Sequence, residues 1–494
     1  MFESFFSITK APDFPEGFEW INTDEPLTLS KLKGHIVILD FWTYCCINCM
    51  HTLPVLAQLE KKYETKPVIF IGVHSAKFTN EQDAKNIKAA VSRYEISHPV
   101  IVDKKMRIWS SFGVNAWPTI IIIDPSGNIV YKQSGEGQRE AIEDVIEVLL
   151  QRHTEKGTLT KEPLKIRNTT PKNSHTLSFP GKLAISKDGI LAVSDSNHNR
   201  IIIADMAGKI LHIVGSSQAG LLDGSFELCR FSRPQGVAWM DKWLYVADTE
   251  NHAIRVIDFD KKSVNTVAGT GRQGTWISAG GRGTEVSLSS PWDIAYSDNL
   301  VYIAMAGNHQ IWVYDTQTKM IVPSAGTGHE NIIDGPARQA QLAQPSGLSI
   351  FGSTLYFADS ETSAIRKLDL LEKQVTTIVG HCLFEFGHKD GTTDEALFQH
   401  PLGLCATKDT IFVADTYNSA IRVINQKNNT VYTLIGKENN MACLPDNPHC
   451  EILGLYEPAD VKFYNDKLYI ADTNNHLIRV FDLKTNRLQT LDLK

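Results

Sequence analysis

Up to about residue 150, short apolar runs alternate with stretches in which apolar side chains recur at helical spacing. The short runs are predicted to be buried strands, at residues 35–41, 68–73, 120–123 and 129–133. The periodic stretches are predicted to be helices, at residues 50–63, 83–94 and 139–150. Strands that alternate with helices predict an α/β domain with a central sheet, and we assign it residues 1–155.

Beyond this domain the pattern changes and then repeats itself. Residues 156–178 are polar and are interpreted as a linker that can also supply a strand. Prolines then recur at spacings of 54, 57, 54, 56 and 57 residues, at Pro180, Pro234, Pro291, Pro345, Pro401 and Pro458. Three copies read Pro-x-Gly followed by an apolar residue, where x is any residue. Asp293 and Asp460 take the Gly position in two others, and in the first copy the Gly is displaced to Gly181.

A second motif follows about fourteen residues into each repeat. Its fullest copy, residues 245–256, reads YVADTENHAIRV, and the last copy, residues 469–480, reads YIADTNNHLIRV. YVAD predicts a strand, Asp and Asn favour the following turn because they hydrogen-bond its open backbone groups, and Ile-Arg-Val resumes a strand. The third copy departs from the pattern, because Met305 occupies the Asp position and Trp312 the Arg position.

The repeats predict a ring of blades, because one four-stranded blade cannot bury both faces of its sheet whereas a closed ring can. Six repeats therefore predict an all-β six-bladed propeller over residues 179–494. The repeats resemble NHL repeats, a family with about this period and this D-x-x-N-H-x-I motif. The resemblance covers residues 180–494.

The recurring polar residues of the blades are interpreted as structural, because a functional site would single out one blade. The alternative is a metal site at which His252, His309 and His476 converge, as in some propeller lyases. Their equivalent positions spread them around the ring, so we expect no metal. Asp-Gly pairs at residues 223–224, 334–335 and 390–391 join successive blades. They are candidates for partner binding at a rim, although turn formation alone explains them.

Composition narrows the class of protein. Hydrophobic residues make up 42% and charged residues 21%, which is typical of a soluble globular protein. The chain has 49 Lys and Arg against 56 Asp and Glu, and it has no basic block, so we expect no nucleic-acid partner. No stretch reaches about 18 uncharged apolar residues, so we expect no membrane span. Residues 1–10 do not read as a signal peptide, so we expect a cytoplasmic protein whose thiols stay reduced. We also expect a monomer.

Eight cysteines are too sparse for a disulfide framework, but three of them cluster in the segment DFWTYCCINCMHTLP. Cys46 and Cys49 form a C-x-x-C motif between a predicted strand and a predicted helix. At a helix N-terminus the unpaired N–H groups and the dipole favour a thiolate at Cys46, and Cys49 lies one turn on, within reach of a mixed disulfide. The motif alone is also half a zinc site, but no second C-x-x-C or pair of histidines follows, which favours redox chemistry.

Three further positions carry a resemblance to thioredoxins over roughly residues 10–150. Pro54 stands where their helix often has a kinking proline, and Pro118 stands where they place a cis-proline beside the cysteines. Asp40 lies six residues before Cys46 and matches the buried acid of that family. The long segment between the motif and Pro118 resembles the TlpA-like or tryparedoxin-like subgroup.

The resemblance implies catalytic roles for four residues, Cys46, Cys49, Asp40 and Pro118. Cys46 would attack a substrate disulfide, Cys49 would resolve the mixed disulfide, and Pro118 would gate the groove. Asp40 is interpreted either as the acceptor of the Cys49 proton or as a buried acid with satisfied hydrogen bonds. Cys45 stands where the family usually has Trp, and it is either an auxiliary thiol or a small filler. Because a vicinal Cys45–Cys46 bond would be strained, we expect a Cys46–Cys49 disulfide.

The whole arrangement, a thioredoxin-like domain with a CCINC motif followed by an NHL propeller, resembles the NHL-repeat-containing protein 2 family. It implies an intracellular thiol–disulfide oxidoreductase without a cofactor, whose propeller docks protein partners or disulfide-bearing protein substrates. The alternative is a non-catalytic interaction scaffold with incidental thiols. His51 and His74 are expected to be packing residues rather than catalysts, and Cys443 and Cys450 are expected to be free thiols.

Overall fold

The computed structural model describes residues 9–161, 175–275, 278–436 and 454–494. These residues fall into two compact units. The described residues up to 161 belong to the N-terminal unit, and those from 175 onward belong to the propeller. The boundaries assigned to the linker, residues 156–178, stay a prediction, because most of this segment lies outside the described residues.

The described part of the N-terminal unit has one mixed sheet of seven strands and four α-helices. The strands are β1 (Thr9–Lys10), β2 (Trp20–Ile21), β3 (Ile36–Trp42), β4 (Val68–His74), β5 (Val100–Val102), β6 (Thr119–Ile123) and β7 (Asn128–Ser134). The helices are α1 (Ile47–Tyr63), α2 (Ala84–Arg93), α3 (Arg107–Ser111) and α4 (Arg139–Glu155). The strand order is β1-β7-β6-β3-β4-β5-β2, in which β3, β4 and β5 are parallel and β6 runs antiparallel to β3.

Strand β3 is central to this sheet, and all seven of its residues are buried. Val37, Leu39 and Phe41 face one core cluster, whereas Ile36 and Ile38 face a second cluster that includes residues of α1 and α4. A continuous apolar run forms such a strand because both faces of the sheet are covered. Asp40 and Trp42 continue the α1 face of β3 by the alternation of side chains along a strand, so they lie between the sheet and the helix that carries the cysteines.

The sequence pattern predicted the long elements of this unit and missed the short ones. The three predicted helices and four predicted strands are present, with helices α1 and α4 longer than expected. Strands β1, β2 and β5 and helix α3 were not predicted, because each has five residues or fewer and shows no periodicity of its own.

The propeller has six antiparallel sheets, which confirms the predicted six-bladed ring. Blade 1 contains β8 (Pro180–Ile185), β9 (Ile190–Asp195), β10 (Arg200–Asp205) and β11 (Ile210–Val214). Blade 2 contains β12 (Gly224–Ser225), β13 (Val237–Met240), β14 (Trp243–Asp248), β15 (Ala253–Asp258) and β16 (Ser263–Ala268). Blade 3 contains β17 (Gly281–Arg282), β18 (Pro291–Ser297), β19 (Leu300–Met305), β20 (Gln310–Asp315) and β21 (Met320–Ala325). Blade 4 contains β22 (Gly335–Pro336), β23 (Pro345–Phe351), β24 (Thr354–Asp359), β25 (Ala364–Asp369) and β26 (Gln374–Val379). Blade 5 contains β27 (Gly391–Thr392), β28 (Gly403–Ala406), β29 (Thr410–Asp415), β30 (Ala420–Asn425) and β31 (Thr430–Ile435). Blade 6 contains β32 (Asp460–Tyr464), β33 (Lys467–Asp472), β34 (Leu477–Asp482) and β35 (Arg487–Leu491).

The four middle blades carry a fifth strand of two residues, which in blades 2, 4 and 5 begins at the Gly of the Asp-Gly pair. The Asp of each pair does more than form a turn, because it binds the buried Arg of its own blade. The Asp223 carboxylate accepts a hydrogen bond from Arg255 at 2.9 Å, and the equivalent contacts are Asp334 with Arg366 at 2.9 Å and Asp390 with Arg422 at 2.6 Å.

Each described blade junction uses one side chain in the left-handed region to bind the next blade. In the second blade the Nδ1 atom of His252 accepts a hydrogen bond from the Ser290 backbone N–H at 3.0 Å. His309 and His476 make the same contact, whereas blades 1, 4 and 5 use oxygen acceptors of Asn199, Ser363 and Ser419. These contacts confirm that the recurring residues are structural and that the three histidines do not converge.

Charged side chains occupy the Gly position at the centre of the ring. Lys182, Asp293 and Asp460 lie on the first full strands of blades 1, 3 and 6, which form the inner ring of the propeller. The Lys182 ammonium lies 3.7 Å from the Asp293 carboxylate, and both side chains are buried. Asp460 accepts hydrogen bonds from Leu183 N–H and from Lys462, at 2.9 Å each. The departures from the Pro-x-Gly pattern therefore form one buried charge network.

None of the described helices is both long enough and apolar enough to cross a membrane.

Candidate functional site

The cysteine cluster lies where β3 ends and α1 begins. Cys46 is the N-cap residue of α1 and is half-buried, whereas Cys45 and Cys49 are almost completely buried. Helix α1 starts here because the Cys46 backbone is extended and its carbonyl accepts the Met50 N–H at 3.1 Å. No first-turn N–H group is bound by the Cys46 side chain. These N–H groups and the helix dipole therefore remain oriented toward any negative charge that forms there.

The two cysteines of the motif contact each other in the reduced state. Cys49 is hydrogen-bonded to Cys46, and all three thiols of the cluster are free. Burial raises the pKa of the Cys49 thiol well above its ordinary value, and the bond to Cys46 and the nearby Asp40 raise it further. Cys49 must therefore pass its proton to a nearby base before it can act as a nucleophile.

Pro118 lies beside the end of β3. The Trp117–Pro118 peptide is cis, as the resemblance to thioredoxins implied. Thr119 pairs with Phe41 across β6 and β3, so Pro118 lies at the level of the residues that lead into the cysteine cluster. The Pro118 carbonyl accepts a hydrogen bond from Gly135 N–H at 2.9 Å, and this contact ties the loop after β7 to the site.

Asp40 is a buried acid whose carboxylate has no hydrogen-bond partner among the described residues. Only 2% of its surface is exposed, and both side-chain oxygens lack a partner there. Burial raises its pKa from 3.8 to about 7, although the charge on His98 opposes this shift. Asp40 therefore has no satisfied hydrogen bond among the described residues, and its role as the acceptor of the Cys49 proton stays a prediction. An acid that titrates near neutrality is suited to proton exchange with Cys49.

Sequence reasoning missed a pair of polar residues that share this layer with Asp40. His98 precedes β5, and its Nδ1 atom lies 2.7 Å from a carboxylate oxygen of Glu60 on α1. Burial alone lowers the pKa of His98, but the Glu60 carboxylate and Asp40 raise it above its usual value. Neither residue belongs to a motif, and they come from different segments, so nothing in the sequence marked them.

Sequence reasoning also missed Glu81, which holds the backbone of the cluster in place. Glu81 is fully buried, and its carboxylate accepts hydrogen bonds from the backbone N–H groups of Cys45, Lys77 and Phe78 at 3.0 Å each. Cys45 itself is enclosed, with its sulfur 3.8 Å from the Thr43 hydroxyl. This enclosure favours the interpretation of Cys45 as a filler.

The two histidines noted near the site lie on either side of it. The His51 ring on α1 is 2.6 Å from the Glu136 carboxylate, so it is an ion-pair or hydrogen-bond partner of the loop after β7. His74, at the end of β4, is fully buried and stacks on Tyr44 with ring centroids 5.4 Å apart. Burial lowers the pKa of His74 to about 3, so the ring is neutral.

The structure brings Asp40, Cys46 and Cys49 together beside Pro118, while the described cysteines outside the cluster of Cys45, Cys46 and Cys49 lie in the propeller. Cys229 is buried there and Cys382 is exposed. Cys443 and Cys450 lie outside the described residues. In the part of the chain that the structure describes, no group of three or more His, Cys, Asp or Glu side chains is placed to hold a metal ion.

Comparison with known proteins separates the two units in the same way. The Thioredoxin-like family model matches residues 34–129, and the NHL repeat model matches residues 288–314. Thiol-disulfide oxidoreductase ResA of Halalkalibacterium halodurans is 29% identical over 125 residues, which cover 25% of this chain and 68% of that protein.

Two kinds of relatives match almost the whole chain. NHL repeat-containing protein 2 of Bos taurus is 40% identical over 515 residues, which cover 96% of this chain and 70% of that protein. Protein SUPPRESSOR OF QUENCHING 1, chloroplastic, of Arabidopsis thaliana is 44% identical over 520 residues. That match covers all of this chain but 49% of the plant protein, so the chain spans about half the length of that relative.

Proposed function

This chain belongs to the NHL repeat-containing protein 2 family, and on that premise we propose that it is a thiol–disulfide oxidoreductase whose propeller docks protein substrates or partners. One observation carries the proposal. A half-buried cysteine at a helix N-terminus is hydrogen-bonded to a fully buried cysteine, next to a buried carboxyl whose pKa is raised to about 7. The distant likeness to ResA supports the same chemistry.

The reaction proceeds in two exchanges. The Cys46 thiolate attacks one sulfur of a substrate disulfide, a mixed disulfide forms, and the first substrate thiolate leaves. The Cys49 thiol then gives its proton to the Asp40 carboxylate and attacks the Cys46 sulfur, which releases the second substrate thiolate. The protein is left with a Cys46–Cys49 disulfide, and two electrons have passed to the substrate. A dithiol reductant returns the protein to its starting state by the reverse exchanges.

The proposal extends to the oligomeric state of the chain, its cellular compartment and the shape of its substrate. We propose that the chain works as a monomer, and that it works in a reducing compartment such as the cytoplasm, where the Cys46 and Cys49 thiols are kept reduced. Pro118 limits access to Cys46 from the side of β6, so an extended disulfide-bearing segment of a protein fits the site better than a bulky folded surface.

A glutathione redox titration of the full chain, with mass-spectrometric mapping of Cys45, Cys46 and Cys49, tests the proposal. We expect a reversible Cys46–Cys49 couple at roughly −200 to −280 mV. We also expect the Cys49→Ser variant to retain substrates as mixed disulfides on Cys46. The absence of a reversible couple, or bonding through Cys45 alone, would overturn the proposal.

A non-catalytic scaffold is the second candidate, and one observation on the propeller favours it. Strand β11 at the outer edge of blade 1 exposes Leu211 and Ile213, which are 40% and 45% accessible. Apolar side chains on one face of an edge strand are suited to protein contact. Replacing both Cys46 and Cys49 by Ser separates the candidates. If the bound partners and the cellular phenotype are unchanged, the scaffold is the better account.

A further inference from the structure

A layer of polar groups lies between α1 and the sheet of the N-terminal unit, where neighbouring positions are apolar. Asp40 and Trp42 belong to β3, His98 precedes β5, and Glu60 lies on α1. Both Asp40 oxygens, the indole nitrogen of Trp42 and the Nε2 atom of His98 are buried without a hydrogen-bond partner among the described residues. Leaving several buried polar groups unpaired at one place is costly, so their retention calls for a functional explanation.

These groups converge on one glycine. Gly72 on β4 faces Asp40 in the register of the sheet. A Cβ atom on Gly72 would lie 2.9 Å from the Trp42 indole nitrogen and 3.1 Å from His98 Nε2. The absence of a side chain at Gly72 therefore lets the His98 ring approach β3, on the same face as Asp40.

The far side of His98 leads to the surface. Its Nδ1 atom lies 2.7 Å from one Glu60 oxygen, and the other Glu60 oxygen accepts a hydrogen bond from the Ser97 hydroxyl at 2.8 Å. The Glu60 side chain is 18% exposed, whereas that of His98 is 5% exposed. A neutral His98 that donates from Nδ1 to Glu60 has its Nε2 lone pair directed into the buried layer.

We infer that His98 and Glu60 form the route by which the proton of Cys49 passes from Asp40 to solvent. The inference rests on the proposed function and extends it to two residues that do not touch the substrate, so they are positioning and proton-transfer residues rather than catalytic ones. The thiol–disulfide exchange itself needs only the cysteines. The route matters because the buried carboxyl must lose its proton before the next cycle.

The sequence of transfers moves one proton from Cys49 to water and moves no electrons. Cys49 gives its proton to Asp40 as the Cys46–Cys49 bond forms and the substrate thiolate leaves. Asp40 and His98 are not hydrogen-bonded to each other, so the Asp40 carboxyl protonates His98 at Nε2 through an intervening water, while the proton on Nδ1 passes to Glu60. Glu60 releases it to water, and a turn of the imidazole ring or the return of a proton restores the starting tautomer.

The charged and titratable groups that face this layer come from three strands or their ends and from one helix. They are Asp40 from β3, His74 from β4, His98 before β5, and Cys46, Cys49 and Glu60 from α1. His74 does not take part, because burial lowers its pKa to about 3 and keeps it neutral. Burial opposes the charge on Glu60, but His98 outweighs this and lowers the Glu60 pKa, so Glu60 is ionised at neutral pH and can receive the proton.

The test follows the resolution step in the reduced full-length protein after mixing with 5,5′-dithiobis(2-nitrobenzoate). Attack by Cys46 releases a first thionitrobenzoate, and attack by Cys49 on the mixed disulfide releases a second. The second phase is identified as the one that the Cys49→Ser variant lacks. Its rate is then measured across the pH range for the wild-type protein and for His98→Gln and Glu60→Gln.

We expect His98→Gln to slow the second phase roughly tenfold at neutral pH and to leave the first phase unchanged. The midpoint of its pH dependence moves to higher pH, because His98 lowers the Asp40 pKa when it is protonated and the variant loses this effect. Glu60→Gln, nearer the surface, slows the same phase by a smaller factor. It also keeps the test valid if His98→Gln fails to fold.

Matched controls come from α4, which contributes no charged group to the buried layer. His153 on α4 is also buried, and Glu143 pairs with Lys62 at the surface, so His153→Gln and Glu143→Gln are expected to leave both phases unchanged. The inference fails if His98→Gln and Glu60→Gln retain the wild-type rate and midpoint of the second phase. If the wild-type protein itself shows no second phase, the proposed function fails, and the inference fails with it.

Discussion

Asp40 in the N-terminal unit and Asp248 in the propeller are both fully buried, but their surroundings differ. Asp248 accepts hydrogen bonds from the Ser232 N–H, the Asn251 amide and the Arg255 guanidinium, at 2.7 to 2.8 Å. Asp40 has no hydrogen-bond partner among the described residues. Burial raises both pKa values, to about 6 for Asp248 and about 7 for Asp40. The number of partners, more than burial, distinguishes them.

The comparison separates structural from chemical use of a buried acid. In blades 4 and 5, Asp359 and Asp415 also bind an Arg and a backbone N–H, so the arrangement repeats as a fold element. Such a carboxylate cannot change its protonation state without losing several bonds. Asp40 has no such bonds to lose, so it can exchange a proton with a neighbouring thiol. Changes at Asp248 should therefore affect stability, and changes at Asp40 should affect chemistry and its pH dependence.

The largest expected effect is on the stability of the propeller. Arg255→Met leaves Asp248 buried without its charged partner, so we expect the free energy of unfolding to fall by about 3–5 kcal/mol. Urea unfolding of the full chain, followed by circular dichroism, measures the change. Lys242→Met is the control, because Lys242 pairs with Asp260 at the surface, and we expect no measurable loss there. A loss of similar size in both variants would contradict the structural role of the buried pair.

Asp40→Asn should have the opposite sign of effect on stability. The folded pKa of about 7 lies above the unfolded value of 3.8, so the folded state holds its proton more tightly. Stability from this group is complete below pH 3.8 and is lost as the pH rises toward 7, at a cost of up to about 4 kcal/mol. We therefore expect Asp40→Asn to stabilise the N-terminal unit at pH 8 and to have little effect at pH 4. Equal effects at both pH values would show that Asp40 does not titrate between them.

The third blade offers a neutral version of the same site. Met305 replaces the Asp, and Trp312, which replaces the Arg, donates its indole N–H to Gln310 at 2.9 Å. Transferring this set to blade 2 gives the triple variant Asp248→Met, Ala253→Gln and Arg255→Trp. We expect it to lose less stability than Arg255→Met, roughly 1–2 kcal/mol, because no buried charge is left unpaired. A larger loss in the triple variant would show that the ion pair itself is required.

The smallest expected effect concerns the side chain that joins blades 2 and 3. His252→Asn should change the free energy of unfolding by less than about 1 kcal/mol, because Asn199 makes the equivalent contact in blade 1. His252→Ala removes the acceptor for the Ser290 N–H and should cost about 1–3 kcal/mol. The two variants are compared by thermal unfolding, and equal losses would contradict the role assigned to the acceptor.

The architecture could be predicted because the sequence of each unit contains either a repeat or a local motif that identifies its fold. Six phased copies of a blade identify the propeller, and the order of strand, C-x-x-C and helix identifies the N-terminal unit. The deviations in the repeats, such as Lys182 and Asp293, could be seen in the sequence but not explained. Their explanation needs the ring, because it brings residues from blades that are not neighbours to one centre.

The state of the candidate site could be predicted only in part. Cys46, Cys49, Asp40 and Pro118 were identified from their spacing and from a family resemblance, and their chemical roles stay predictions. Whether Asp40 has partners depends on side chains from three other segments, which no spacing along the chain reveals. His98 and Glu60 come from segments that are distant in the sequence, and the packing of α1 near the start of β5 brings them together. They could therefore not be found from a motif.

The most direct test of the account is the titration of Asp40 in the reduced protein. The chain is labelled with carbon-13 at the aspartate side-chain carboxyl, and the signal that is missing in Asp40→Asn is assigned to Asp40. Its chemical shift is then followed by NMR from pH 4 to pH 9. The account predicts a midpoint near 7. A midpoint close to the ordinary value of 3.8 would show that Asp40 is ionised throughout and would contradict its role as the acceptor of the Cys49 proton.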